Sequence, residues 1–313
     1  MARFLALRFG YIVLVMIGVS VLVFSLSRLS GDPRYLYMTP GSRWSQEIWD
    51  ARGRELGLDK PPVVQYLIWA GRAVRGDFGD SVWHKRNSLD VIIDRAPATI
   101  QLSGIAYVLA ILMGIGLGIA SAVRRGTFID LVIRGFALIG QAAPPFLIAI
   151  VLIYIFAVNL DWLPTSRRGD WTNFVLPVVT LAWLASASIT RITRSALLEV
   201  LDSEYIKLAR AKGVGRTKII FKHALKNALI APLTVAAILF ASFITGTVVV
   251  ETVFAWPGLG RLAVDATLNN DFPRYWPYGD LCCCIPPQQL DSRFTLRLHR
   301  SPNKDLLILG IFL

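Results

Sequence analysis

Five long blocks of apolar residues constrain the fold of this 313-residue chain more than any other feature. The blocks lie at residues 9–27, 99–123, 131–158, 174–190 and 228–254. Each is long enough for about 20 residues of helix, the length that crosses about 30 Å of hydrocarbon. Charged residues make up only 17% of the chain, against roughly 25% in average soluble domains. The sequence therefore predicts an all-α polytopic membrane protein, and not a disordered chain, a disulfide-rich secreted module or an ordinary soluble enzyme.

The formal net charge of +12 is concentrated in alternate loops between these blocks. Basic residues prevail before the first block, in the loop at 124–134 and above all in the loop at 191–227, whereas the charges of the 30–96 segment nearly cancel. Basic loops of polytopic proteins lie on the cytoplasmic side. We therefore expect the N-terminus and both basic loops in the cytoplasm, with the 30–96 and 159–173 loops outside. This distribution explains the charge without a nucleic-acid partner and leaves membrane lipid as the partner of the apolar blocks.

Three residues in the apolar blocks are candidates for a translocation path. Gln141 and Pro145 interrupt the third block, and Glu251 is the acid near the outer end of the fifth. Proline and polar residues are tolerated in a span where neighbouring helices or a water-lined path satisfy the freed backbone, and intramembrane acids often mark such a path. Helix packing is the alternative for the first two residues, and a place at the membrane interface is the alternative for Glu251.

The basic loop at 191–227 contains a short amphipathic helical pattern. Its predicted apolar face consists of Tyr205, Leu208, Ala209 and Ala211, and Gly213 suits the C-terminal cap. A short amphipathic helix in a cytoplasmic loop can dock into a groove on a soluble partner. An interfacial helix held on anionic lipid by its lysines explains the same pattern equally well.

The segment from Tyr205 to Gly213 resembles the "EAA" coupling loop of bacterial ABC-importer permeases, in the form found in the dipeptide, oligopeptide and nickel group. Further segments match that family in the expected order. They are residues 8–33, 56–61, 65–67, 75–79, 96–99, 144–146, 162–164 and 249–260, of which the last is the most specific. The resemblance covers residues 3–273 and implies the fold of a type I ABC importer transmembrane domain, with five clear spans here and a sixth expected but disrupted.

The resemblance also implies a division of the chain. The expected parts are a first transmembrane helix at 1–29, an external periplasmic loop domain at 30–96, a transmembrane core at 97–273 that includes the coupling loop, and an aberrant tail at 274–313.

The function that the resemblance implies is that of a permease subunit of an ATP-driven importer in the bacterial inner membrane, with peptides as substrate. Its partners would be a second permease subunit, cytoplasmic ATP-binding subunits and a periplasmic substrate-binding protein. The residues expected at the ATPase contact are Tyr205, Leu208, Ala209, Ala211 and Gly213. The chain has no G-x-x-x-x-G-K-[ST] phosphate loop, so ATP would be bound by the partner subunits. We expect no cofactor, metal site or catalytic residue in this chain.

Three alternative functions remain open. Nickel, glutathione or oligosaccharide would be the substrate in other branches of the same family. A stand-alone ion-coupled carrier belongs to a different class, and would be expected to have inverted repeats and buried ionisable residues. An intramembrane enzyme would need a paired nucleophile and base or a metal cluster at membrane depth, and neither H-E-x-x-H nor G-x-S-x-G occurs.

The tail at 274–313 departs from the family pattern, which has a sixth span followed by a short Tyr-x-Asp-Pro-Arg ending. Its longest apolar run, residues 306–313, is far below the about 18 residues of a span. Codons compatible with residues 298–303, read one base later, spell Tyr-Ile-Asp-Pro-Arg-Ile. We therefore expect a one-base frame change at about codon 274, which would make the triplet Cys282–Cys284 an accident without a redox role.

Overall fold

The computed structural model describes residues 2–29, 34, 45–55, 57–81, 83–165, 168–245 and 247–268. These residues divide between two compact units, which are described separately below. The aberrant tail at 274–313, with its expected frame change, lies outside the described residues, as do parts of the 30–96 loop.

The first unit contains the N-terminal helix, most of the predicted external loop and a late helix of the chain. Its elements are α1 (Ala2–Leu29), α2 (Gln46–Glu55), α3 (Pro62–Ala73), the antiparallel pair β1 (Asp80–Ser81) and β2 (Arg86–Asn87), the start of α4 (Ser88–Val123), and α13 (Leu259–Leu268). An aromatic cluster of Phe24, Tyr66 and Trp69 packs α3 against α1, with ring centroids 5.6–6.3 Å apart. A second apolar cluster joins the start of α4 to α13 through Val91 and Leu262.

The second unit begins within α4 and contains the remaining helices. They are α5 (Phe128–Ala142), α6 (Pro145–Leu152, continued as a π-helix over Ile153–Asn159), α7 (Thr172–Leu201), α8 (Glu204–Ala211), α9 (Arg216–Lys218, continued as a π-helix over Ile219–Ala224), α10 (Leu225–Ala228), α11 (Ile230–Thr245) and α12 (Val248–Val253).

The apolar blocks of the sequence are helical, as predicted. Among the described residues, three helices are long and apolar enough to cross a membrane: Ala6–Ser25, Ser88–Val123 and Thr172–Leu201. Two bent pairs bring the number to five if each pair is one span: Phe128–Ala142 with Pro145–Asn159, bent by 115°, and Arg216–Ala228 with Ile230–Phe243, bent by 47°.

Proline causes the sharper of the two bends. Pro144 lies between α5 and α6, and Pro145 is the first residue of α6. Since proline has no N–H and fixes its own φ, it suits the first position of a helix and not its interior. The third apolar block, predicted at 131–158 with an interruption, is therefore two helices that meet at an angle.

Two glycines allow α4 and α7 to lie unusually close together. A Cβ atom built on Gly114 would lie 2.5 Å from Cβ of Ile189, and one on Gly118 would lie 2.5 Å from Cβ of Thr193. Separations this short do not occur between real side chains, so these two positions accept only glycine unless the helices move apart. Small residues that let helix backbones approach are typical of membrane helix packing.

α5 packs along α7 through aromatic and polar contacts. The rings of Phe136 and Trp183 are stacked 4.7 Å apart, and Nε1 of Trp183 donates a hydrogen bond of 3.2 Å to the Phe136 carbonyl oxygen. Gly140 lies under Trp183 and Ala187, where a Cβ atom would be 3.0 Å from each. α7 is thus the central helix of this unit, in contact with both α4 and α5.

Candidate functional site

The predicted coupling segment forms the short helix α8, with defined ends. Ser203 precedes it in an extended conformation. Gly213 follows it with φ of +77°, in the left-handed region that only glycine enters without a steric penalty. The N–H of Gly213 donates to the Arg210 carbonyl oxygen at 2.9 Å, and the N–H of Val214 donates to that of Ala209 at 3.2 Å. The glycine thus turns the chain sharply out of the helix.

The apolar residues of α8 divide between an inner and an outer side. Ile206 is fully buried, whereas Tyr205 is 45% exposed and Leu208 is 57% exposed. Ala209 is half-buried, and Ala211 is exposed.

Gly213 is exposed as well. The face predicted to be apolar therefore points mostly outward, away from the unit that carries it. An outward apolar face is what a docking helix requires.

Ile206 holds α8 to the rest of the unit, and sequence reasoning missed it. It belongs to a buried cluster built from α4, α7, α8, α9 with its π-helical continuation, and α10. The other buried members are Ala122, Leu197, Ile219, Ala224 and Ala228. Its signal in the sequence was the spacing of Ile206 and Ala209, three residues apart on one helix face.

α8 and α9 together, residues 204–218, form the coupling segment, and two arginines attach it to the ends of long helices. A guanidinium nitrogen of Arg210 donates to the Leu201 carbonyl oxygen at 3.2 Å, at the end of α7. Arg216 donates to the Val123 carbonyl oxygen at 2.7 Å, at the end of α4. The last carbonyl groups of a helix lack intrahelical partners and attract cations. In the sequence both arginines counted only as indicators of orientation.

The side chain of Tyr205 is also held in place by a hydrogen bond to a neighbouring helix. Its hydroxyl oxygen accepts a hydrogen bond of 2.9 Å from Nδ2 of Asn227, which lies in α10. This bond orients the exposed ring of Tyr205 on the outer surface. Lys207 and Glu204 form an exposed ion pair at 2.7 Å, of a kind that contributes little to stability.

An ion pair joins α7 to α5, between Arg194, whose side chain is 23% exposed, and the buried Asp130. Both Nε and Nη2 of Arg194 donate to the Asp130 carboxylate, at 2.9 and 3.0 Å. The hydroxyl of Ser121 and the N–H of Gly126 donate to the same carboxylate at 2.5 and 3.1 Å. Asp130 is 1% exposed, and a buried carboxylate is tolerated only when donors surround it in this way. In the sequence these two residues were only loop charges.

The candidates for the translocation path occupy different surroundings. Gln141 and Pro145 are exposed and flank the bend between α5 and α6, and Nε2 of Gln141 donates to Oγ of Ser188 on α7 at 3.3 Å. Glu251 is fully buried, and its carboxylate accepts a hydrogen bond of 2.9 Å from the Thr247 hydroxyl. The main-chain oxygen of Glu251 accepts one of 2.8 Å from the N–H of Trp256. In this structure the carboxylate of Glu251 is enclosed by protein.

In the part of the chain that the structure describes, no group of three or more His, Cys, Asp or Glu side chains is arranged to hold a metal ion. The second unit presents an outward apolar helix, α8, which is anchored by the buried Ile206. Arg210 links α8 to the end of α7, and Arg216 of the following α9 binds the end of α4. Such an arrangement can receive a push or pull from a soluble partner and pass it to α4 and α7.

Comparison with known proteins gives a consistent set of similarities. The family described as "Binding-protein-dependent transport system inner membrane component" matches residues 114–284. The oligopeptide transport system permease protein AppB of Bacillus subtilis (strain 168) is 37% identical over 285 residues, which cover 87% of this chain and 90% of that protein. The probable peptide ABC transporter permease protein y4tP of Sinorhizobium fredii (strain NBRC 101917 / NGR234) is 41% identical, with 83% and 85% covered. The glutathione transport system permease protein GsiC of Escherichia coli (strain K12) is 38% identical, with 82% and 83% covered.

Solved structures share the fold at lower identity. A crystal structure of an amino acid ABC transporter with histidines matches with a TM-score of 0.50 and 18% identity, covering 71% of this chain and 93% of that one. An inward-facing conformation of the MetNI methionine ABC transporter, in its CY5 native crystal form, matches with a TM-score of 0.50 and 16% identity, covering 71% and 96%.

Proposed function

The chain belongs to the family of inner membrane components of binding-protein-dependent transport systems, and we propose that α8 is the helix through which its ATP-hydrolysing partner drives it. Its function is that of a membrane permease subunit of an ABC importer, a transport subunit and not an enzyme. The family works with ATP-binding and substrate-binding partners. We also propose its substrate class, its contact residues, its orientation and its second permease subunit.

The observation that carries the proposal is the difference between the two sides of α8: the inner side is anchored and the outer side is apolar and exposed. Its outer side offers Tyr205, Leu208 and Ala211, with Gly213 turning the chain at its end. Its inner side is anchored by Ile206, which is fully buried. A helix that merely filled a gap in the unit would place its large apolar side chains inward. An exposed apolar face on a firmly held helix fits a groove on a soluble partner.

The attachments of the coupling segment support a route for the mechanical signal. When the ATPase subunits close on ATP, the helix seated in their groove moves with them. Arg210 and Arg216 connect the segment to the last carbonyl groups of α7 and α4, so both long helices follow. Because α5 packs on α7, α5 would move with it. The bend at Pro145 follows the end of α5, so this motion would reach the bend.

The proposed orientation places α8 and the N-terminus in the cytoplasm, with the 30–96 loop domain facing the periplasmic substrate-binding protein. The support is the charge pattern, since the loop at 191–227 is strongly basic and the 30–96 segment is nearly neutral. In this arrangement the core at 97–273 carries the translocation path, and we propose Gln141, Pro145 and Glu251 as residues that influence it.

A second permease subunit completes the proposed assembly. Large apolar side chains are exposed on α5 and α6 (Phe128, Leu131, Leu138, Phe146 and Leu147). Lipid covers part of such a surface, and a partner subunit covers the rest. A path between two subunits requires a partner on one of these faces.

Peptides are the proposed substrate class. The similar proteins are named as permeases for oligopeptides, peptides and glutathione, and glutathione is itself a tripeptide. Nickel or oligosaccharide transport is the alternative within the same family.

The test is reconstitution with neighbouring gene products. The tagged chain is expressed with the permease, ATPase and binding-protein subunits encoded beside it, and peptide uptake into vesicles is measured with and without ATP. We expect the ATPase subunits to co-purify, and Leu208→Asp to release them. Lys207→Gln combined with Lys212→Gln is the control, because it weakens an anionic lipid contact without altering the apolar face. Retention of the ATPase by Leu208→Asp would refute the docking face, and uptake by the chain alone would instead favour a stand-alone carrier.

A further inference from the structure

We propose that Asp130 and Arg194 are positioning residues that lock α5 to α7, so that motion of the coupling segment reaches the bend of the third span. This inference rests on the proposed function, since it assigns a role within that transmission. The pair takes no part in the predicted coupling surface and contains none of the candidate path residues.

The geometry of the pair fixes orientation as well as distance. Arg194 binds the Asp130 carboxylate with two nitrogens, at 2.9 and 3.0 Å. A two-point contact between a planar guanidinium and a carboxylate resists rotation, which a single contact does not. Ser121 and Gly126 supply two further donors to the carboxylate from the end of α4 and the turn that follows it. The end of α4, the turn after it and the start of α5 are thereby held together beside Arg194 of α7.

The place of the pair along α7 makes it a junction. From Arg194 to Leu201, where α7 ends, is about two helical turns, and Arg210 of α8 binds the carbonyl group of Leu201. Among Asp130, Phe136 and Gln141, which all contact α7 from α5, Asp130 is the nearest to α8 along α7. A displacement of α8 would therefore be transmitted to α5 first at Asp130. The contacts of Phe136 and Gln141 with α7 lie farther along, toward the bend.

Burial of the Asp130 carboxylate is better explained by positioning than by stability alone. An ion pair with a buried member contributes little to stability, because the free-energy cost of removing the charge from water offsets the attraction. Apolar side chains could fill the same space, but they would lack a two-point directional contact between α5 and α7. The structure also offers a matched comparison in Arg134, whose Nε lies 3.5 Å from the same carboxylate but whose side chain is 53% exposed.

The first test compares three variants in the reconstituted complex. Arg194→Gln should lower the substrate transported per ATP hydrolysed by about tenfold, within the usual range of coupling energies, while ATPase binding is retained. Arg194→Lys keeps the charge but loses the two-point contact, and should fall between Arg194→Gln and the unchanged chain. Arg134→Gln is the control and should leave the ratio unchanged. A ratio for Arg194→Gln equal to that of the unchanged complex would overturn the proposal.

The second test keeps Arg194 in place. Spin labels are attached at Phe128→Cys on α5 and Ser195→Cys on α7, two exposed positions, after Cys282, Cys283 and Cys284 are replaced by serine. The distance between the labels should be the same without nucleotide and with ATP trapped. A distance that changes between these states would show that α5 and α7 do not move together, and would overturn the proposal even if Arg194→Gln failed to fold.

The two tests separate this inference from the proposed function. If the unchanged complex transports with ATP but Arg194→Gln has a normal ratio, the proposed function stands and the positioning role is wrong. If the unchanged complex binds no ATPase subunit, the proposed function is wrong and the inference is lost with it.

Discussion

The guanidinium of Arg216 donates a hydrogen bond of 2.7 Å to the main-chain oxygen of Val123, the last residue of α4. The two residues are 93 positions apart in the chain. Since the last carbonyl groups of a helix carry a partial negative charge and lack intrahelical partners, a cation at this point is favourable. The bond attaches the segment after α8 directly to a membrane-spanning helix.

Replacing Arg216 by glutamine should loosen that attachment. We expect the purified complex to lose about 1 kcal/mol of stability, the usual size of one such contact at a helix end, and to transport less substrate per ATP. The measurements are thermal denaturation in detergent and the ratio of uptake to hydrolysis. Lys218→Gln removes the same charge two residues later and is the control. Equal ratios for the two variants would argue against a role of the Val123 contact in transmission.

Ile206 and Leu208 should respond in opposite ways to substitution. Ile206→Ala removes a fully buried side chain and should cost about 2–5 kcal/mol of stability, measured by thermal denaturation of the purified chain. Leu208→Ala removes a side chain that is 57% exposed, so it should leave stability nearly unchanged and weaken co-purification of the ATPase subunits. The same stability loss in both variants would contradict the inner and outer assignment of α8.

A charge at Gly213 should uncouple the transporter without preventing membrane insertion. Gly213 has φ of +77°, and asparagine and aspartate are the residues other than glycine that most readily adopt this conformation. Gly213→Asp therefore adds mainly a negative charge beside the proposed contact, and Gly213→Asn is its uncharged control. We expect ATP hydrolysis without transport in the aspartate variant and partial transport in the asparagine variant. Full transport by Gly213→Asp would exclude this end of α8 from the ATPase contact.

Because α4 and α7 lie close together, a larger side chain should destabilise the protein at Gly118 but not at Gly116, two residues away. A Cβ atom on Gly118 would lie 2.5 Å from Cβ of Thr193, whereas one on Gly116 has no atom within 4 Å. Gly118→Val should cost about 1–3 kcal/mol or more by overpacking and lower the yield of folded protein. Gly116→Val should be tolerated. Size-exclusion chromatography and thermal denaturation of both variants make the comparison, and equal behaviour would place the helices farther apart than described.

We expect the gene to contain a one-base frame change just beyond codon 273. Resequencing the locus should reveal a one-base difference at about codon 274, beyond which the corrected frame encodes an apolar segment and a Tyr-Ile-Asp-Pro-Arg ending. Stop codons in that frame, or the absence of an apolar run, would contradict the expected frame change.

Local patterns in the sequence were sufficient to predict several elements. The apolar blocks predicted helices because about 20 such residues match the thickness of a bilayer, and Gly213 predicted the end of α8 because few other residues turn the chain that way. The prolines at 144 and 145 marked the interruption of the third block for an equally local reason. The resemblance between residues 205–213 and a known coupling loop pointed to the family, which the comparisons confirm.

The tertiary structure alone decided which residue meets which. Ile206 and Leu208 are both apolar residues of one short helix, and only the neighbouring helices determine that the first is buried and the second exposed. The bonds from Arg194 to Asp130 and from Arg216 to Val123 join residues 64 and 93 positions apart. Periodicity and propensity act over a few residues, whereas an ion pair between two helices or a capped helix end depends on how helices distant in the sequence pack together. The sequence by itself therefore determined the spans and the turn after α8, and the packing of α4, α5 and α7 decided how those spans are linked.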